Sequence, residues 1–230
     1  MAIATALAAD GAFVVVSGRD KTRGDAVVAA IRSAGGNGAF VAADLGAGGA
    51  AARRLADEAT EAAGGIDILV NNAATLLMPS PTADVGEQEL RDVFGVNVFA
   101  PFLLTGVLAP RMVAQGGGAI VNIGSITGLR GSSGSAVYSA NKAAIHSFTQ
   151  SWADEYGPGG VRVNAVAPGP IGTERQAEFA DHIAPTLSRL PSRRVSTPEE
   201  VAAAVVFLAG DDAANIHGTV LSVDGGWAAT

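Results

Sequence analysis

The segment Ala119-Ile-Val-Asn-Ile-Gly-Ser125 is an apolar run with β-branched residues that ends in small and polar residues, and a helical pattern follows it over 135–156. The same alternation of an apolar run with an Ala-rich helical pattern recurs along the chain. The other runs are Ala12–Val16, Ala39–Ala42, Ile66–Val70, Val161–Val166 and Thr219–Val223, and the other predicted helices cover 22–33, 47–63, 86–115 and 198–209. Strands that are apolar on both faces and alternate with helices predict a doubly wound parallel α/β sheet, Rossmann-like, in a single domain over 1–230.

Small or polar residues follow five of the six apolar runs. These endings are Ser17-Gly18-Arg19, Asp44, Asn71-Asn72, Gly124-Ser125 and Pro168-Gly169-Pro170. The carboxyl ends of parallel strands lie at one edge of an open α/β sheet, and ligands bind in the crevice there. Any single ending could simply reflect the polarity of loops, but five on one edge predict a binding site.

The composition of the 230 residues excludes several classes of protein. A hydrophobic fraction of 48% with 16% charged residues excludes a disordered chain, and the absence of cysteine excludes disulfide scaffolds and zinc–thiolate sites. We predict no metal site. The net charge of −7 disfavours nucleic acid and anionic lipid as partners. No basic residue precedes Arg19 and no uninterrupted apolar stretch reaches bilayer length, which predicts a cytoplasmic protein that does not enter the membrane.

The start of the chain lacks one element that a dinucleotide-binding fold normally has. Such folds open with a strand, a Gly-rich turn and a helix whose N-terminus holds the pyrophosphate. Here Ile3, Leu7 and Ala8 give the first residues a weak apolar helical face, and Asp10-Gly11 ends it. None of the Gly clusters lies between a first strand and a helix. We therefore expect the first strand and its phosphate loop to be missing from these 230 residues.

Tyr138 and Lys142 are the residues that most directly suggest chemistry. They stand four apart in Tyr138-Ser-Ala-Asn-Lys142, so a helix places both on one face. A phenol with a pKa near 10 is a poor acid–base catalyst at neutral pH, and a nearby ammonium favours its ionised form. We therefore expect Lys142 to lower the pKa of Tyr138. Taken alone, this spacing is also a common coincidence.

The surrounding motifs turn that pair into a family resemblance. In order along the chain they are Asn71-Asn72-Ala73, Asn97, Ser125, Tyr138 with Lys142, Pro168-Gly169-Pro170-Ile171 with Thr173, and Val223-Asp224-Gly225-Gly226. With this order and spacing the sequence closely resembles the short-chain dehydrogenase/reductase family over essentially its whole length. The resemblance implies a nicotinamide-dependent oxidoreductase that acts on a small-molecule carbonyl or alcohol.

The resemblance also implies a role for each matching residue. Tyr138 would be the general acid for carbonyl reduction and the base for alcohol oxidation, and Ser125 would hydrogen-bond the reacting oxygen. Lys142 would bind the nicotinamide ribose, and Asn97 would hold a water in a proton relay. Asp44 and Leu45 resemble the pair that contacts adenine. The remaining cofactor-binding residues implied are Asn71, Ala73, Pro168, Gly169, Ile171 and Thr173. Ser125, Asn97 and Lys142 could instead have purely structural roles.

The choice of cofactor depends on the end of the first apolar run. An acidic residue there would bind an unphosphorylated ribose, and an Arg favours a 2′-phosphate. Gly18 occupies the acidic position and Arg19 follows it, with Lys21 and Arg23 close behind. We therefore favour NADP(H) over NAD(H), by charge-assisted bonds from Arg19. The alternative is that Arg19 pairs with Asp20 or Asp25.

Further expectations concern one departure from the family pattern, two alternative functions, the oligomeric state and the substrate pocket. Ala74 stands where the family usually has Gly, and the missing phosphate loop allows a second reading, a catalytically silent scaffold or oligomer subunit. A cofactor-independent lyase is a third. The Gly-Gly-Trp227 ending favours a homo-oligomer, a dimer or tetramer. We expect the substrate pocket to be lined by loops 126–135 and 172–194, which suit a medium-sized, partly apolar compound.

Overall fold

The fold is a parallel α/β arrangement in a computed structural model that describes residues 1–173 and 187–229. Its strands are β1 (Phe13–Gly18), β2 (Asn37–Ala42), β3 (Ile68–Asn71), β4 (Gly118–Ile123), β5 (Val161–Pro168) and β6 (Val220–Val223). Strand β1 pairs with β2, and β3, β4, β5 and β6 form a four-stranded sheet in that order. All of these pairings are parallel, which confirms the Rossmann-like architecture.

Helices cover both faces of the strands. They are α1 (Ala2–Ala9), α2 (Lys21–Ser33), α3 (Gly49–Ala63), α4 (Glu87–Phe94), α5 (Ala100–Gln115), α6 (Ala136–Tyr156) and α7 (Pro198–Ala209). The two faces of strand β4 pack into different cores: Ile120 belongs to the cluster with residues of α3, α5 and α6, and Val121 to the cluster with residues of α1 and α7. Both side chains are fully buried. The strands are apolar on both faces because both faces are covered.

The sheet is divided into two parts. Strand β1 pairs only with β2 and β3 pairs only with β4, so each has one edge without a strand partner in the described residues. The chain begins with helix α1, as expected from its apolar face. Helix α1 packs against α7 beside the larger sheet and against α2 and β1, and α3 packs against β1 and α5. The two parts are thus joined by side-chain packing of helices on both faces.

A buried chain of polar side chains fastens α6 to the larger sheet. The Asn71 amide donates to Asn122 Oδ1 at 2.8 Å, and Asn122 Nδ2 donates to Thr149 Oγ1 at 2.9 Å. Thr149 in turn donates to the carbonyl of Ile145 within α6, at 2.8 Å. Burying a polar group is unfavourable unless it is hydrogen-bonded, and here each side chain donates a hydrogen bond to the next group in the series. This chain fixes α6 relative to the ends of β3 and β4.

The helical run Glu87–Gln115 differs from the sequence expectation in two ways. Residues Gly95–Phe99 form a π-helical turn between α4 and α5, so the predicted helix over 86–115 is interrupted. The run is also long and apolar enough, by length and composition, to cross a membrane, contrary to our reading of the sequence. Half of its most apolar window is buried, and Leu104, Leu108 and Met112 pack into the core. One side of the run is therefore packed into the core.

Candidate active site

Helix α6 places Tyr138 and Lys142 on one face near its N-terminal end. The Lys142 side chain is buried, with 4% of the residue exposed, and its Nζ donates to the carbonyl oxygen of Ile123 at 2.8 Å. The same Nζ lies 5.8 Å from the centroid of the Tyr138 ring. Because Ile123 is the last residue of β4, this bond joins the face of α6 to the carboxyl end of the sheet. The two residues predicted from their spacing are therefore brought together at the expected edge.

Ser125 completes this arrangement two residues beyond β4. It begins the one-turn helix Ile126–Gly128, where its Oγ accepts hydrogen bonds from the backbone N–H and the hydroxyl of Thr127, at 3.2 and 3.0 Å. The Ser125 hydroxyl is also close enough to the Tyr138 phenol to lower its pKa. Ser125 thus has a structural role as the cap of this turn and, in addition, lies beside the phenol.

Asn97 lies in the π-helical turn and holds the loop that follows β3. Its Oδ1 accepts from the Thr75 N–H at 2.7 Å, and its Nδ2 donates to the Thr75 carbonyl at 2.9 Å. Nδ2 also lies 3.4 Å from Oδ1 of Asn141, the neighbour of Lys142. π-Helical turns inside α-helices occur frequently at functional sites. The backbone contacts with Thr75 were not expected from the sequence.

The predicted cofactor-binding residues follow the carboxyl ends of β1, β2, β3 and β5. Arg19 and Asp44 follow β1 and β2 and are exposed, whereas Asn71 ends β3 and is buried in the polar chain to Thr149. Asp44 Oδ1 caps the turn at Leu45 by accepting from Gly46 N–H at 3.0 Å. Pro168 is the last residue of β5, and the residues beyond β3 or β5 are Ala73, Gly169, Ile171 and Thr173. Each of these residues therefore lies at the carboxyl rim of the strands, that is, at or just beyond the carboxyl end of one of them.

Gly169 shows how closely the backbone segments approach at this rim. A Cβ atom on Gly169 would lie 2.9 Å from the Cα of Asp224. Asp224 is itself buried, and its carboxylate accepts from the N–H groups of Gly226 and Ala228. The C-terminal motif of the family pattern is therefore packed directly against its Pro168-Gly169 motif.

The electrostatics of Tyr138 differ from the sequence expectation. Burial raises the pKa of Tyr138, and the hydrogen bond with Ser125 opposes that rise without cancelling it. Burial also lowers the pKa of Lys142 to about 8. The expected lowering of the Tyr138 pKa by Lys142 is not found, because the phenol is desolvated and the ammonium donates to Ile123.

A small pocket beside Tyr138 is formed partly by a loop that the sequence analysis overlooked. Its walls come from residues 134–138 and from the loop after β3, through Leu77, Met78, Ser80, Thr82 and Val85. The predicted lining over 126–135 is represented at Gly134 and Ser135. Part of the other predicted loop, 174–186, with Arg175, Phe179, His182 and Ile183, lies outside the described residues. The fifteen residues between β3 and α4 make this loop long, and loops of such length are often binding loops. Its length could therefore have indicated that it lines the pocket.

No cluster of three His, Asp or Glu side chains that could hold a metal ion occurs in residues 1–173 and 187–229.

Comparison with known proteins gives consistent matches along the chain. A family model described as enoyl-(acyl carrier protein) reductase matches residues 1–228. The cyclopentanol dehydrogenase of Comamonas sp. (strain NCIMB 9872) is 36% identical over 236 residues, covering 98% of this chain and 90% of the relative. A solved structure described as a short chain dehydrogenase/reductase family protein is 41% identical, with a TM-score of 0.90 over 100% of this chain and 92% of its own.

A second solved structure was determined with a nicotinamide cofactor. It is a protein assigned as an NAD(P)-dependent gluconate 5-dehydrogenase from Beutenbergia cavernae, with bound NADP at low occupancy. It is 37% identical, with a TM-score of 0.93 over 100% of this chain and 92% of its own. The fold described above is therefore shared with proteins that bind this class of cofactor.

The burial of Lys142 predicts a specific dependence of stability on pH. Between pH 8 and 10 the folded chain would carry neutral Lys142 while the unfolded chain keeps it protonated, so the unfolded state binds more protons and stability rises with pH. Above pH 10 the raised pKa of Tyr138 has the opposite effect. Urea unfolding should show that the difference in unfolding free energy between the parent and Lys142→Met rises by about 2 kcal/mol from pH 8 to 10.

The matched control is Lys21→Met, at the other lysine, whose side chain is 75% exposed. The difference in unfolding free energy between the parent and Lys21→Met should stay constant from pH 8 to 10. If the difference for Lys142→Met also stayed constant, that result would contradict the lowered pKa of a buried Lys142.

Proposed function

The chain belongs to the short-chain dehydrogenase/reductase family and is an NAD(P)-dependent oxidoreductase, and we propose that it interconverts a secondary alcohol and a carbonyl with Tyr138 as general acid and base. The observation that carries this proposal is the meeting of Tyr138, Ser125 and Lys142 at the carboxyl end of β4. The bound nicotinamide supplies or accepts the hydride.

Tyr138 and Ser125 would bind the reacting oxygen of the substrate. In reduction, the Tyr138 hydroxyl donates its proton to the oxygen as negative charge develops there, and the Ser125 hydroxyl donates a second hydrogen bond. In oxidation, the Tyr138 phenol first loses its own proton to solvent, and its oxygen then accepts the proton of the alcohol. The raised pKa of Tyr138 keeps the phenol protonated, which favours the reduction direction. After transfer in that direction, Ser125 turns its single O–H from the product oxygen to the phenolate.

Lys142 fits the role of a cofactor ligand beside the phenol. Its ammonium has three N–H donors, and the one protein acceptor described for it is the Ile123 carbonyl. A buried ammonium with unused donors is suited to the hydroxyl groups of a ribose. Asn97 would act behind it as the holder of the proton-relay water, and its contact with Asn141 supports that placement.

Arg19 supports a preference for NADP(H) over NAD(H). The two aspartates considered as its partners are engaged elsewhere: Asp20 caps α2 by accepting from Arg23 N–H at 3.0 Å, and Asp25 pairs with Lys21 at 2.7 Å. Arg19 is exposed at the rim, beyond the end of β1. We propose that its guanidinium binds the 2′-phosphate, and that Asp44 and Leu45 contact the adenine.

The pocket beside Tyr138 supports an uncharged substrate. The described residues that line it carry apolar or hydroxyl side chains and no charge. Among these described residues, a charged group buried there would find no partner of opposite sign. We propose a secondary alcohol or ketone of small to medium size, in keeping with the cyclopentanol dehydrogenase among the relatives.

An exposed aromatic face on α5 and α6 supports a homo-oligomer. Phe99 and Phe102 are 57% and 51% exposed, and Phe102 contacts the rings of Phe148 and Trp152 at centroid distances of 5.4 and 6.1 Å. Contiguous apolar surface of this kind marks association sites. We therefore propose that copies of the chain pack through this face, in addition to the C-terminal end expected from Trp227.

Tyr138→Phe tests the proposed catalytic role. The variant should reduce cyclic ketones at least about 100-fold more slowly than the parent, because the proton donor is lost. NADPH affinity, followed by nicotinamide fluorescence, should be unchanged. Tyr156→Phe, at the other tyrosine of the chain, is the matched control and should keep the parental rate. A Tyr138→Phe variant with most of the parental rate would disprove the role.

Arg19→Ala tests the cofactor preference. Loss of a charge-assisted contact with the 2′-phosphate should weaken NADPH binding by about 10- to 100-fold and leave NADH binding nearly unchanged. Lys21→Ala, at the adjacent exposed cation that pairs with Asp25, is the control and should change NADPH binding far less. Equal losses for NADPH and NADH in Arg19→Ala would contradict phosphate recognition.

A further inference from the structure

His146 is a buried titratable residue that the proposed mechanism does not use. It lies one helical turn after Lys142 on α6 and is 6% exposed. Neither ring nitrogen has a partner of hydrogen-bond geometry in the described part of the chain. Leaving polar atoms buried without partners is unfavourable. The interaction with the Gly128 backbone raises the pKa of His146 without reaching standard hydrogen-bond geometry, so it does not by itself account for the position of the ring.

The shape of the ring accounts for its position, because the imidazole fills the space beneath the loop that carries Ser125. A Cβ atom on Gly124 would lie 2.2 Å from Nε2 of His146, and one on Gly128 would lie 2.8 Å from its Cε1. Real Cβ atoms essentially never come this close to other atoms. Neither glycine has a positive φ. At Gly124 the ring alone therefore requires glycine, whereas at Gly128 a Cβ would also meet the α6 backbone, 2.7 Å from the carbonyl carbon of Lys142.

Ser125 lies between these two glycines and is held from two sides. On one side, Lys142 binds the Ile123 carbonyl immediately before Gly124. Beneath the loop, His146 supports Gly124 and Gly128. The loop that carries Ser125 is therefore held between this hydrogen bond and the imidazole ring.

The charge state of His146 is compatible with this supporting role. Burial and the nearby positive charge of Lys142 lower the pKa of His146, and the backbone of Gly128 partly opposes them. The neutral ring adds no second positive charge beside Lys142. It can therefore stay packed while Lys142 is protonated.

We propose that His146 is a positioning residue, whose size complementarity with Gly124 sets the place of Ser125 relative to Tyr138. This inference rests on the proposed function for its kinetic consequences, but the packing it describes can be tested without activity. A displacement of about 1 Å in a catalytic group can lower the rate by about 100-fold.

The test is a set of three variants: Gly124→Ala, His146→Ala and the double variant. Gly124→Ala should lower kcat by about 10- to 100-fold with the KM for NADPH unchanged, because the new methyl group meets the ring and displaces Ser125. In the His146→Ala background the same methyl group has room, so the double variant should regain most of the rate. Gly106→Ala, a helical glycine whose Cβ would meet no atom within 4 Å, is the matched control.

A second readout separates this inference from the proposed function. With [ζ-¹³C]tyrosine, the NMR signal of Tyr138 reports its hydrogen bond with Ser125, and Tyr156→Phe assigns it. The signal should shift in Gly124→Ala and return toward the parental position in the double variant, whether or not the chain turns over substrate. If Gly124→Ala fails to fold, His146→Ala can still be compared with the double variant. The methyl group added in the double variant should then move the Tyr138 signal from its position in His146→Ala toward the parental position. The proposal would be overturned if the Tyr138 signal of the double variant lay as far from the parental position as that of Gly124→Ala. It would also be overturned if that signal lay farther from the parental position than that of His146→Ala.

Discussion

The hydrogen bond from Lys142 Nζ to the carbonyl of Ile123 determines how the rest of the site is arranged. A buried ammonium must have a partner, and this bond of 2.8 Å supplies one where β4 ends. Ser125 follows Ile123 by two residues, and Tyr138 precedes Lys142 by one helical turn. Fixing these two backbones relative to each other therefore brings the hydroxyl and the phenol together. The lowered pKa of Lys142, about 8, is the electrostatic consequence of its burial.

Several packing contacts reinforce this bond. The buried polar chain from Asn71 through Asn122 to Thr149 holds the middle of α6 on the sheet. His146, between these two attachments, occupies the space under Gly124 and Gly128. Asn97 fastens the loop after β3, which forms a wall of the pocket beside Tyr138. The site is thus built where four segments far apart in sequence are held by contacts that are mostly buried.

Much of the fold could be predicted because its strands are buried on both faces. All six apolar runs became strands, and the helix predicted over 198–209 has those bounds in the structure. Periodicity could not reveal the π-helical turn at 95–99, since one extra residue per turn leaves the apolar pattern almost unchanged. The expected absence of a first strand stays a prediction. Motif spacing was enough to single out Ser125, Tyr138 and Lys142. The packing of His146 and the contact of Asn97 with Thr75 join segments that are distant in sequence, so no local sequence pattern could indicate them.

We propose that this rim binds a nicotinamide cofactor and prefers the 2′-phosphorylated form. The decisive measurement is a titration of the 230-residue chain with NADPH and NADH, followed by nicotinamide fluorescence. Saturable binding that is tighter for NADPH is the predicted result. A folded chain that binds neither cofactor would contradict the claim and favour the catalytically silent scaffold.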